Sequence, residues 1–155
     1  MSENDLKLEQ VMKRLDVLEN ERAILDTLYQ YGHSLDYGLE EQYVDCFTSD
    51  GVRERHERPG SKKTDNRVQG KIELAAHAAQ HTRAPDKYHK HLIIEPRITL
   101  NDDEAKVESY FTRLDASDDM VPFVYVFGRY RDHMVKCSDG KWRFKERIIE
   151  LEARA

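Results

Sequence analysis

The sequence predicts an α+β fold, a cone-shaped, curved antiparallel sheet wrapped by N-terminal helices. Two observations carry this. Apolar residues recur with helical period through the first half of the chain, and from about residue 89 the period falls to two. A third observation sets the scale: 155 residues suit a single domain with a core of its own.

Residues 5–36 read as one long helical pattern. Leu8, Val11, Leu15 and Leu18 have the spacing of a coiled-coil seam, and Ile24, Leu28, Tyr31 and Leu35 continue it. The charged block at 20–22 divides an N-terminal helical arm, residues 1–20, from the domain proper, residues 21–155. Gly38 stops the helix. A shorter helix follows in "LEEQYVDCF", with Tyr43, Val44 and Phe47 as its inner face. Residues 51–56 predict a brief strand and "ERPGSKKTDNRVQG" a polar loop; "KIELAAHAAQH" is a third helix, ended by Pro85. A strand over about 89–100 is reversed at "NDD" and "AKVESYFTRL" returns. "FVYVFGRYRDHMVK" and "WRFKERIIEL", joined by the turn "SDGK", complete the meander. The mouth of such a cone is a natural small-molecule pocket.

Composition narrows the partners. With 25 basic and 30 acidic residues the net charge is -5, which argues against nucleic acid. No run approaches the ~18 apolar residues of a membrane span, and no apolar stretch follows the N-terminus, so a cytoplasmic protein is expected. Cys46 and Cys137 are far apart and lack metal-ligand spacing; Cys46 reads as core, and neither has a basic cradle for a thiolate. There is no GxGxxG or P-loop, and no cofactor is expected.

The chemistry concentrates at "LYQYGHSLD", residues 28–36. A carboxylate beside an apolar stripe is costly unless paired, solvated or used. His89 and His91 share one face of a predicted strand, but a metal site would need a third ligand and ordered partners, so none is expected. A carboxylate that orients an imidazole holds one tautomer and raises its basicity, making a dyad able to move a proton. A tyrosine hydroxyl could then bind the reacting oxygen. Spacing alone leaves the partners open: Tyr29 lies almost on the side of Asp36, Tyr31 about 140° round the helix, and His33 is a local alternative to the strand histidines.

The ordered set "ERAILDTLYQYGHSLDYG", "YVDCFTSDGV", Gly70 before the third helix, "HKHLIIEPRITLNDDEAKVESYF" and "GRYRDHMVKCSDGKWRFKERIIE" resembles the SnoaL-like branch of the NTF2-like superfamily, over roughly residues 20–152. The resemblance implies a cystatin-like α+β barrel with a buried pocket. It places Asp36 at the position of the family's catalytic aspartate and His91 at that of its histidine, with His89 as the alternative one register away. It also selects Tyr31, five residues before the aspartate. The implied activity is that of a cofactor-independent lyase, a dehydratase or an isomerase, acting on a largely apolar ring compound of steroid, polyketide or aromatic-catabolite type. The alternative is a non-catalytic binding or accessory subunit. Relatives assemble, so a homo-oligomer is expected, a trimer ahead of a dimer.

One departure from the family pattern is "RERHER", where relatives place an apolar residue. Arg53 and Arg55 share a strand face, which is either a charged edge or a pocket wall that pairs with an anionic group. Arg147 is expected to project toward the dyad by resemblance, although its alternation with Arg143 and Lys145 favours exposure. Tyr110, Phe111, Phe123, Tyr125 and Phe127 lie on strands; Phe123, Tyr125 and Phe127 share one face and would line a pocket if that face is concave. Tyr110 is the remaining candidate for substrate contact, and Trp142 reads as core or interface.

Overall fold

A computed structural model describes residues 2–61 and 64–155. Helix α1 (Glu3–Tyr37) opens with a capping box between Ser2 and Asp5 and closes at Gly38, whose φ of 68° is the left-handed cap. Residues 3–19 are exposed all round, whereas Ile24, Leu28, Tyr31 and Leu35 bury one face. Helix α2 (Glu40–Asp45), strand β1 (Phe47–His56), strand β2 (Thr64–Gln69) and helix α3 (Gly70–Gln80) follow. The chain then forms β3 (His89–Asn101), β4 (Glu104–Ala116), β5 (Pro122–Lys136) and β6 (Trp142–Arg154). None of the helices is long and apolar enough to cross a membrane, among the described residues.

The six strands form one curved, unclosed sheet in the order β2-β1-β6-β5-β4-β3. Two features depart from the sequence expectation. The sheet is not wholly antiparallel, because β1 runs parallel to β6, with Arg53 opposite Arg147. Strand β2 occupies part of the expected polar loop, where a single apolar residue, Val68, left no alternation to read. Lys62 and Lys63 of that loop lie outside the described residues.

The core is built by alternation. Along β4, Ala105, Val107, Ser109 and Phe111 are buried and their neighbours are exposed. Val126, Tyr130 and Met134 of β5 and Phe144 and Ile149 of β6 extend this inner face. Helix α1 is fastened across it at several points. Thr27 Oγ1 donates to the Trp142 carbonyl at 2.6 Å, and Trp142 Nε1 donates to Asn20 Oδ1 at 3.0 Å. Gly32 meets β3, and a Cβ there would lie 2.9 Å from the His91 carbonyl oxygen. One turn further on, Asp36 reaches the same strand. Arg83 joins the helix ends, donating to Glu40 and to the Gly38, Ala78 and Ala79 carbonyls.

Candidate active site

Asp36 is buried, 3% exposed, and its carboxylate faces β3. Oδ2 accepts the His91 amide at 3.0 Å. Oδ1 lies 2.7 Å from His91 Nδ1 and 2.8 Å from His89 Nδ1. Because β3 alternates, residues 89 and 91 present their rings to one carboxylate. Both histidines weighed from the sequence therefore touch Asp36, and they differ in their other nitrogen. His89 Nε2 lies 2.6 Å from the Thr82 carbonyl oxygen, which can only accept. Thr82 Oγ1 lies 3.3 Å from the same nitrogen, so both ring nitrogens of His89 are engaged. His91 Nε2 makes no hydrogen bond among the described residues, and His91 lines a cavity.

Burial acts to raise the Asp36 carboxyl, but hydrogen bonds from His89 and His91 outweigh it and hold the group well below the usual carboxylate range. Burial pushes His91 below its ordinary value, partly offset by Asp36. A neutral His91 donates through Nδ1 and keeps a lone pair at Nε2. This is the arrangement of a general base. Asp36, His89 and His91 also put ligand atoms within 4.8 Å of one another, a grouping that could hold a cation. The lengths of 2.7 and 2.8 Å are those of proton-bridged pairs.

The cavity, of about 170 Å³, is lined by α1, α3 and the inner face of the sheet. Tyr31 and Leu35 line it from α1, His77 from α3 and His81 from the C-cap of α3. Burial lowers these last two to about 3 and about 4 respectively, so both are neutral near pH 7. The His81 ring packs 5.1 Å from His89 and 5.4 Å from His91. Neither histidine entered the sequence reading, although their i, i+4 spacing in "HAAQH", at the end of a predicted helix, is a signal that could have paired them. Phe111 and Arg113, also not singled out as ligand contacts, line the cavity from β4.

The substrate contacts expected from the sequence separate. Arg53, 8% exposed, lines the cavity together with Arg55, and Tyr125 does so from β5. Tyr110, Phe123 and Phe127 do not; they are 58%, 41% and 47% exposed. The physical reason is a bulge. Arg113 pairs with Val126 and Leu114 with Val124, leaving Tyr125 as an extra residue that turns Phe127 to the outer face. Phe111, not Tyr110, is the inward residue of its pair and stacks on Tyr130 at 4.4 Å. Arg147 is fully buried but lies beneath the cavity. It makes a bidentate pair with Asp132 at 2.8 and 2.7 Å, caged by Tyr31, Tyr130 and Phe144. A larger groove, of about 840 Å³, runs between α2, α3 and the start of β1. It is lined by Val44, Phe47, Ile72 and Ala75 and by no histidine.

A SnoaL-like domain profile matches residues 16–148. The chain belongs to the SnoaL-like family. Similar solved structures agree on the fold. An NTF2-like protein with a cystatin-like fold from Novosphingobium aromaticivorans is 19% identical, with a TM-score of 0.78 over 93% of this chain and 89% of that one. A candidate scytalone dehydratase from the same organism is 20% identical, with a TM-score of 0.72 over 92% and 90%. The beta subunit of a candidate aromatic-ring-hydroxylating dioxygenase, again from that organism, is 24% identical, with a TM-score of 0.74 over 86% and 90%. At such identities the likeness is one of fold. No curated protein matches the sequence. Within this SnoaL-like domain the dyad and its cavity are the features that bear on chemistry.

Proposed function

We propose that the cavity is the active site of a cofactor-independent lyase of dehydratase type, or of an isomerase using the same proton transfers. The observation that carries this reading is the His91 ring, held by Asp36 through Nδ1 with Nε2 unbonded in a cavity. His91 Nε2 takes a proton from the carbon beside a carbonyl, and the C–H electron pair becomes an enolate. In elimination that pair forms the new double bond as the C–O bond breaks, and His91 returns its proton to the departing oxygen, releasing water. In isomerisation the proton returns to another carbon. Tyr31, at the cavity wall, binds the oxygen that departs or enolises. A space of about 170 Å³ suits one ring, close to the ~150 Å³ cavity that admits benzene, rather than a four-ring skeleton.

The second reading is a binding or accessory subunit, favoured by the likeness to a dioxygenase beta subunit. One experiment separates them. Single-ring ketones and their β-hydroxy derivatives are incubated with the protein in heavy water and followed by proton NMR for α-deuteration and loss of water. The expected result is catalysis that falls by about 10²- to 10⁴-fold in His91→Ala. Unchanged rates in that variant exclude the dyad mechanism, and an absence of exchange across the set favours the accessory reading.

A further inference from the structure

The buried arginines of this domain are not alike. Arg147 is matched by Asp132. Arg113, at the cavity wall, is matched by Asp115 at 2.6 and 2.7 Å. Arg53 has only neutral partners: Nε donates to Tyr31 Oη at 3.4 Å and Nη1 to Asn66 Oδ1 at 2.8 Å. It meets no carboxylate among the described residues. A guanidinium 8% exposed, with no carboxylate among the described residues to match it, is a costly group to bury. Arg55 and Arg154 line the cavity too, and none of its described lining residues is acidic.

Such a cation is retained at a cost to folding when a ligand supplies the missing charge. We propose that Arg53 forms a subsite for the carboxylate of a small organic acid, about one ring in size, which is the substrate or product of this cavity. The guanidinium fork matches a carboxylate edge, and closing the pair inside a buried space strengthens it. Tyr31 belongs to the same arrangement. Its oxygen accepts from Arg53 Nε, so its own proton remains to be donated to the oxygen functions beside the carboxylate. Arg53 thus sets which molecules enter, and His91 acts on what Arg53 has anchored. The inference rests on reading the cavity as the reaction site, but its test is independent of turnover.

Binding is measured by calorimetry at fixed ionic strength, using acetate, cyclohexanecarboxylate and benzoate and the three corresponding amides. Benzoate is expected to bind at least about thirtyfold more tightly than benzamide, and Arg53→Met and Arg53→Gln to bring benzoate down to the amide's level. His91→Ala is expected to keep the acid-to-amide preference. With no ligand present, Arg53→Met is expected to melt at or above the wild-type temperature, because an unmatched cation has been removed. The proposal is overturned if no carboxylate saturates the wild type, if amides bind as well as acids, or if the preference survives in Arg53→Met. Loss of folding in both Arg53 variants assigns the residue to the core and overturns it as well. Carboxylate binding with unchanged turnover in His91→Ala would instead remove the dyad and leave this subsite standing.

Discussion

Asp36 is a single acceptor serving two rings, and the division of labour between them follows from what lies behind each. His89 has both nitrogens engaged and helps to satisfy a carboxylate that is only 3% exposed. His91 is left neutral and basic. A pH dependence follows. Burial sets His91 below its ordinary 6.5, and protonation removes the Nε2 lone pair, so activity falls on an acid limb with its midpoint under 6.5 and is level through pH 7 to 8. Asp36→Asn removes the interaction that raises His91, so the midpoint moves lower as the rate drops. A pH–rate series on both proteins checks this, and a wild-type midpoint above 6.5 contradicts it. How legible was the site? Asp36 declared itself as a carboxylate on an apolar helix face, and the family pattern pointed to His91. The difference between His89 and His91 was not readable, because it depends on the Thr82 carbonyl, which the loop before β3 positions through space.

Elements carry the next level of order. The meander and the long helix were readable because their periods, 2 and 3.6, persist for many residues. What failed was local. The bulge at Tyr125 inserts one residue, and Phe127 beyond it falls on the outer face. No residue type in "FVYVFG" announces that insertion. The parallel pairing of β1 with β6 was equally hidden, since strand order is decided by the whole sheet rather than by either strand. Gly32 governs how closely α1 approaches β3. Alanine there gains up to about 1 kcal/mol in helix propensity, but its methyl would stand 2.9 Å from a backbone oxygen. The overpacking cost, about 1–3 kcal/mol, exceeds that gain. Gly32→Ala is therefore expected to lower the melting temperature and to slow turnover by pushing Asp36 off His91. Thermal melts with kinetics test this, and a variant that melts with the wild type shows that the helix yields freely.

Considered as one body, the domain presents a group of large apolar side chains to water on one face of its sheet. Leu92, Ile94, Tyr110, Val124 and Phe127 are all exposed, and cross-strand pairing sets Ile94 beside Tyr110 on the outer sheet face. Phe127, which the bulge turned away from the cavity, is among them. We propose that a second copy of this chain covers this face, in the homo-oligomer that the family resemblance implies, a trimer ahead of a dimer. Light scattering is expected to give a multiple of the chain mass, reduced to a single chain by Phe127→Arg. A wild-type protein that is monomeric at micromolar concentration removes the proposal.

The indole of Trp142 has a practical consequence. It is the chain's one tryptophan, fully buried, with its N–H held by Asn20 near the base of the exposed arm. Its emission is therefore a single-site signal for the seam between α1 and β6. Lifting that helix wets the ring and shifts its fluorescence to the red, whereas a change confined to the outer sheet leaves the spectrum where it was.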